Sequence, residues 1–460
     1  MSRYLLTALL CLIFLPIYGQ QSTLWGNTFK GGNADAGFIF KTGLDGSGYE
    51  IVHELDGASG GKYMGTGMIL ATDGLLYGTA SQGGEFNRGI LFRVDPMSDE
   101  FTIRHNFEAV QAYNCRLTQA SNGKLYGMGA GGVGNIFEFN PENDAFTIVH
   151  QFNRPEGAAP LPEDYLLEVT PNVLYAATAS GGDENNGVLF RFDIESMDYT
   201  ILHHFNEGTG NSPRPGLLLA SNGHLYGVAG RGGANRQGLI FKYEIDSETY
   251  SIVAHLSSEQ AIPNGGLIEA TNGKVYGTAS IGGAINEGAL FELDLSSGEL
   301  ATKISFAGSK GLIPDASLMQ ASNGLIYGNT RYGGNGMGLG AVYSYNPEND
   351  AFNTIASLND GFPLDNVLVE VVEPVVTSVE KSQQSQIRLY PNPAQDYLNI
   401  DFDSAQPSFV IEAIAVSTGT NTPLKQEGNR VDLKHLKPGL YFIRTVHADG
   451  TSVVRKIIKQ

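Results

Sequence analysis

Cysteine, tryptophan and positive charge are all scarce in this 460-residue chain. Cys11 and Cys115 are the only two cysteines, and Cys11 lies in an apolar run at the N-terminus. Loss of that run leaves Cys115 alone, so no intramolecular disulfide is available and stability must come from packing. Lys and Arg number 29 against 48 Asp and Glu, a net charge of -19. That balance weighs against a nucleic-acid partner or an anionic lipid surface, both of which rely on clustered cations. After the run from Leu5 to Ile17, no apolar stretch is long enough to span a bilayer, so the mature chain is expected to lack a transmembrane segment.

Glycine is plentiful, at 59 residues, and aromatics reach 10%. The mixture favours strands joined by tight turns, hence an all-β fold. The length suits two folded units, the second of them small. Arg3, the apolar run, Tyr18 and Gly19 form a signal-peptide layout over residues 1–19, with cleavage expected after Gly19. Leu10 stands before Cys11 where a lipoprotein signal carries a small residue.

Aligned on itself, the chain places Trp25, Tyr77, Tyr126, Tyr175, Tyr226, Tyr276 and Tyr327 in register, roughly fifty residues apart. A glycine pair follows each aromatic: Gly31-Gly32, Gly83-Gly84, Gly131-Gly132, Gly181-Gly182, Gly232-Gly233, Gly282-Gly283 and Gly333-Gly334. One copy reads as four strands. Gly216 to Ala220 and His224 to Ala229 flank Asn222-Gly223, which predicts a two-residue type I′ hairpin, and strands follow at Gly238 to Glu244 and Tyr250 to Leu256. The turn recurs at Asn122-Gly123, Asn272-Gly273, Asn323-Gly324 and Asp73-Gly74, whereas Pro171-Asn172 predicts a looser corner.

Seven such units predict a seven-bladed β-propeller with four-stranded blades over residues 20–373. The first copy lacks its own first strand, and Asn366 to Val371 supply it from beyond the seventh copy. Pro363, four residues before Val367, mirrors Pro162, Pro213, Pro263 and Pro314 before their leucines. One blade built from both ends closes the ring and removes free sheet edges.

The pattern Leu76-Tyr77-Gly78, Gly83-Gly84 and Gly89 to Phe92 resembles the GloVer tandem repeat of bacterial exported proteins, over roughly residues 22 to 373. That resemblance implies no activity. Kelch repeats share the glycine pair, but their later Tyr and Trp are missing. From Gln386 the chain reads Ile387-Arg388-Leu389-Tyr390-Pro391-Asn392-Pro393, then Pro438-Gly439-Leu440-Tyr441-Phe442, and ends Lys456-Ile457-Ile458-Lys459-Gln460. This resembles the C-terminal sorting domain of the type IX secretion system, over residues 386–460. It implies the secretion machinery as partner, Tyr390, Pro391, Asn392, Pro393, Gly439, Tyr441, Lys456 and Lys459 as sorting-signal residues, and a secreted or outer-surface location in a Gram-negative bacterium. Alternating runs there also read as a small β-sandwich. Residues 374–385 read as a linker in which cleavage would fall.

Loops between second and third strands share a face with the loops that lead into each blade, and this face is the expected binding surface. Candidate ligand contacts are Arg88, Arg154, Glu156, Arg214, Arg231, Arg331 and Tyr332, with Tyr63, Tyr113, Asn114 and Asn264 nearby. They suit an extracellular glycan or a protein. The glycine pairs read as conformational.

No catalytic residue, metal ligand or cofactor is expected. His53, His105, His150 and His203 share one slot in successive outer strands, which suits packing between blades better than a metal. The two Asn-Pro-Glu-Asn-Asp runs, Asn140 to Asp144 and Asn346 to Asp350, read as turns rather than calcium loops. Gly57-Ala58-Ser59-Gly60-Gly61 matches G-x-S-x-G, and Gly127, Gly129 and Gly132 match G-x-G-x-x-G, but neither has the helix its chemistry needs. Cys115 reads as a small inner-strand residue. A non-enzymatic binding or scaffold module is therefore the leading expectation. The alternatives are an enzyme acting on extracellular polysaccharide and a structural surface-layer component.

Overall fold

The computed structural model describes residues 21–459, except 109–114, 130–131, 155–156, 158–164, 215, 335–339, 359–360, 362, 364–365, 374–386, 391–393, 403–408, 416–420, 428–429, 438 and 448–451. The expected signal segment, the linker, Glu156, Tyr113, Asn114 and Pro391 to Pro393 lie outside the described residues.

The chain divides into two compact units, one spanning Thr23–Val371 and the other including Val372–Gln460. The larger is a seven-bladed β-propeller of antiparallel sheets. Blade 1 runs, in sheet order, Val369–Glu373, Gln21–Asn27, Phe38–Gly43 and Glu50–Glu54, so the strand after the last repeat pairs with the first strand of the chain. Blade 2, typical of the rest, runs Ile69–Leu70, Leu76–Ala80, Ile90–Asp95 and Glu100–Asn106. In blade 5 two short segments, Asn211–Pro213 and Leu218–Leu219, both pair with Leu225–Arg231. The segments just before the first strands approach backbone to backbone: a Cβ on Gly67 would stand 2.5 Å from the Val367 carbonyl, and one on Gly265 as close to that of Ala316. This crowding places the first strands around the axis.

The core consists of seven clusters, one per seam, because second and third strands are apolar on both faces. Each repeat aromatic packs into the following blade: Trp25 joins Met68 and Phe92, and Tyr126 joins Leu166 and Phe190. Tyr327, Val342 and Leu358 of blade 7 join Leu24, Phe38 and Leu368 of blade 1, so the last seam is built like the others. Burying each such aromatic contributes roughly 2–3 kcal/mol. The glycine after the aromatic leaves space for the phenylalanine of Gly-x-x-Phe, since a Cβ on Gly78 would stand 2.6 Å from Phe92 Cζ.

Three sequence expectations change. The Asn-Gly corners are not type I′: Gly123 (φ 81) takes the left-handed conformation while Asn122 does not, and Gly123 N donates to Ala120 O at 2.9 Å. This geometry is a three-residue loop with the glycine as bulge. Asn122 is held in it twice, accepting from Lys124 N at 3.0 Å through Oδ1 and donating to the Tyr126 hydroxyl at 2.9 Å through Nδ2. The Pro171-Asn172 corner is tighter rather than looser, with Thr170 paired directly to Val173.

A third change concerns Pro363. Two residues past the buried first-strand leucine, Gln119, Glu168, Glu269 and Gln320 accept backbone N–H groups of the preceding blade's turn, from Thr72, Ser121, Ser221 and Thr271. Glu370 accepts likewise from Ser322. Leu368 is therefore the counterpart of Leu318, and Pro363 precedes it by one residue more than its equivalents do. The remaining two blades carry Leu70 and Leu219 at this rung. Each follows a blade without the Ser/Thr-Asn/Asp-Gly corner: blade 1, whose first two strands come from opposite ends of the chain, and blade 4, with Pro171-Asn172.

The four rim histidines pack as expected. His53 stacks on Phe101 at 3.9 Å, His105 on Phe146 at 4.4 Å, His150 on Tyr199 at 4.5 Å and His203 on Tyr250 at 3.8 Å, each ring pair crossing one seam. The Asn-Pro-Glu-Asn-Asp turns end on carboxylates that take a cation from the preceding blade, Arg104 to Asp144 and Lys303 to Asp350.

The smaller unit packs two sheets over one core. One contains Ile387–Tyr390, Tyr397–Phe402, Arg430–Asp432 and Gln426–Glu427, and the other Asn421–Pro423, Phe409–Ala415, Gly439–His447 and Ser452–Lys459. Leu398, Ile400, Val431, Ile411, Ile443 and Ile457 fill the space between them. Of the sorting-signal residues, Tyr441 and Lys459 are buried, Gly439 is exposed, and Tyr390 and Lys456 lie in edge strands.

Candidate functional site

The loop face is built by glycine-shaped loops that brace one another. In blade 2, Gly83 and Gly84 (φ 80 and 74) turn the chain so that Gly89 N reaches Gly83 O at 3.0 Å and Asn87 N reaches Gly84 O at 3.2 Å. Gly84 N also donates to Ala58 O of the lead-in loop at 2.9 Å. The next residue, Glu85, donates its N–H to Asn106 Oδ1 at the end of the fourth strand. The same link recurs from Asn33 to Glu54, Asp183 to His204, Ala234 to His255 and Ala284 to Ser305. Described members of the glycine pairs all have positive φ, in line with a conformational role.

Four described lead-in loops are held across their seams. Ile262 and Ile313 adopt φ of 55 and 56, and Ser212 and Tyr63 do the same at 54 and 64. Such values are strained for branched or bulky residues. The strain is held because each N–H bonds the preceding blade, as in Ile313 N to Glu287 O at 2.9 Å, and after Ser212, Ile262 and Ile313 the next residue is a proline that wedges against a glycine there. A Cβ on Gly288 would stand 2.3 Å from Pro314 Cδ.

On this scaffold the expected contacts are spread out. Arg88, Arg154 and Arg231 are exposed on blades 2, 4 and 5, and Tyr332 is 43% exposed on blade 7. No hydrogen bond or ion pair among the described residues joins them to one another. Arg331 is committed elsewhere, pairing with the buried carboxylate of Asp315. Arg214 lies half-buried along Gly230, and its Nε has no partner among the described residues. Asn264, one blade on and likewise just after the repeated proline, donates to Ser280 Oγ at 3.1 Å while its buried Oδ1 accepts from none of the described residues.

Sequence reading missed Arg116 and Tyr165. The Arg116 guanidinium lies 4.5 Å from the Tyr165 ring centroid, and the ring covers Gly216 of the next blade. The Tyr165 hydroxyl donates to Leu217 O at 3.4 Å. Their slot on the inner strands is Gly67, Gly216, Gly266 or Ser317 in blades 2, 5, 6 and 7 and Val367 in blade 1, so two large polar side chains against small neighbours were the available signal.

Cys115 is fully buried, and that burial pushes its thiol up to about 12. Burial also holds His203 down at about 4 and keeps His53 and His105 below the usual histidine range. These imidazoles are neutral at pH 7. Among the described residues no three His, Cys, Asp or Glu side chains converge to hold a metal, and no helix is long and apolar enough to cross a membrane. On the opposite face, Val173, Arg191, Asp193, Asp198, Tyr199 and Thr200 line an open groove of about 350 Å³.

Residues 14–175 and 162–373 match the family model described as the Gloeobacter/Verrucomicrobia repeat. Residues 388–460 match the secretion system C-terminal sorting domain. No curated protein matches the chain. Among solved structures, a candidate 6-phosphogluconolactonase from Bacteroides uniformis ATCC 8492 aligns with a TM-score of 0.53 at 12% identity, covering 76% of this chain and 99% of that one. A fungal alcohol oxidase in complex with copper aligns at 0.49 and 14%, over 95% of each chain. PorZ, a surface component of the type IX secretion system of Porphyromonas gingivalis, aligns at 0.40 and 14%, over 93% of this chain and 64% of its own. At these identities the likeness concerns the fold alone.

Proposed function

The chain belongs to the Gloeobacter/Verrucomicrobia repeat family and ends in a secretion sorting domain, and from that premise we propose that it is a binding or scaffold module exported through the type IX system. It is secreted or held at the outer cell surface, and it grips an extracellular glycan or protein on the loop face. The observation carrying this reading is the Arg116–Tyr165 pair, set in a slot that is glycine or serine in four other blades. A guanidinium stacked on a phenol offers a flat surface with donors at its edge, the combination used against sugars and protein loops. Arg214 Nε and Asn264 Oδ1 add a donor and an acceptor with no partner among the described residues, and buried polar atoms of that kind are costly unless a ligand meets them.

Two experiments test this. Deleting residues 388–460 keeps the protein inside the producing cell, whereas export of the truncated chain would refute the route. Binding of the exported protein to a glycan panel and to whole cells, lost in Arg116→Ala/Tyr165→Ala while the thermal transition is unchanged, supports the loop face. Undiminished binding by that variant moves the site elsewhere.

A further inference from the structure

At the seam between blades 1 and 2 the loop face carries a feature that the described residues of the other seams do not repeat. Tyr63 occupies the strained lead-in position, at φ 64. Its described counterparts at other seams are Ser212, Ile262 and Ile313. The backbone is pinned on both sides: Tyr63 N donates to Ala36 O at 2.9 Å, and Ser81 donates to Tyr63 O through N at 3.1 Å and Oγ at 3.2 Å. Phe29 of blade 1 stacks against the Tyr63 ring at 4.8 Å and 17°. Lys62 Nζ stands 4.4 Å from the Tyr63 ring centroid and Lys30 Nζ 5.7 Å from it. Two ammonium groups from different blades are thus gathered on one ring.

Neither lysine forms an ion pair among the described residues, although the chain carries a net charge of -19. At two other seams the cations are paired, since Arg104 and Lys303 each bind an aspartate of the next blade. Two like charges within about 10 Å repel unless an anion lies between them. An aromatic pair flanked by cations matches a ligand that combines a ring with an apolar C–H face and a carboxylate.

We propose that Lys30, Lys62 and the Phe29–Tyr63 pair form a subsite for the carboxylate of an acidic sugar, such as a hexuronate unit in a polysaccharide. This rests on the reading of the loop face as a ligand surface. The lysines hold the carboxylate as point charges, and the aromatic edge lies along the sugar ring.

The test uses the purified exported chain in affinity electrophoresis through gels containing polygalacturonate, dextran sulfate or neutral dextran. Polygalacturonate retards the wild type most, and added salt relieves the retardation. Lys30→Gln/Lys62→Gln weakens that binding about tenfold or more, as expected on removing two charge-assisted contacts. Lys62→Arg retains most of it, and an unchanged melting transition shows that the variants are folded. Equal retardation by dextran sulfate overturns the carboxylate assignment in favour of bare charge. Retardation by polygalacturonate that survives the double substitution overturns the lysine subsite and leaves the loop-face reading intact. Binding to no glycan, charged or neutral, overturns the subsite together with the glycan half of that reading.

Discussion

Ser322 donates its backbone N–H to one carboxylate oxygen of Glu370 at 2.7 Å and its hydroxyl to the other at 2.6 Å. Ser322 belongs to the corner of the last blade, and Glu370 to the strand that completes the first. Equivalent rungs join Ser121 to Glu168 and Ser221 to Glu269. The closing seam thus uses the same fastening as the internal ones.

Glu370→Leu removes both bonds at that seam and is expected to destabilise the propeller by about 1 kcal/mol, the net worth of partly solvated charge-assisted bonds. Leu219→Glu is expected to bring no comparable gain, because the preceding corner is Pro171-Asn172. Urea unfolding followed by tryptophan fluorescence reports both, since Trp25 lies in the strand that pairs with the closing strand.

Gly288→Ala and Gly273→Ala separate crowding from backbone strain. Both glycines have positive φ, 108 and 74, but a Cβ at Gly288 would meet Pro314 Cδ at 2.3 Å while one at Gly273 meets nothing within 4 Å. The first substitution is expected to cost about 3 kcal/mol or more, and the second about 1 kcal/mol. Similar melting temperatures for the two variants would contradict the seam contact.

Stability is expected to fall on acidification. His203 is neutral when folded because burial depresses it to about 4, whereas the unfolded chain takes up a proton in the ordinary histidine range. Its contribution is therefore complete above that range and is lost as pH drops towards 4. His53 and His105 act in the same direction. In His203→Gln, the decline in melting temperature between pH 7 and pH 4 is expected to be shallower than in the wild type.

Arg331→Ala deprives the buried Asp315 carboxylate of its ion-pair partner and is expected to cost about 2–3 kcal/mol, with ligand binding otherwise intact. The double change Arg331→Ala/Asp315→Ala is expected to recover a good part of that loss. If instead Arg331→Ala leaves the melting temperature unchanged and abolishes glycan binding, Arg331 contacts the ligand rather than the scaffold.

Period, blade number and closure were legible because they rest on residues that recur almost unchanged: the aromatic, the glycine pair and the Asn-Gly corner. Relationships across seams were not. Gln119, Glu168, Leu219 and Glu269 look like scatter at one alignment position until the neighbouring corner is considered, and only then do the leucines mark a missing donor. Corner type escaped because an Asn-Gly dipeptide serves two geometries, and the choice rests on Asn122 reaching both Lys124 N and the Tyr126 hydroxyl. Arg116 and Tyr165 escaped because loop tips were searched, whereas the pair lies where the inner strands begin.

Blade 1 draws its inner strand from Val369–Glu373 and the rest from the first residues of the propeller. The ring therefore cannot close until the whole array has been synthesised, and the N-terminal strands wait with an unpaired edge. Closure becomes the last and most non-local step of folding, governed by the arrival of a distant segment more than by local preference. A chain interrupted before Glu370 lacks the closing strand, and the sheet of blade 1 is left with a bare edge of unpaired backbone groups.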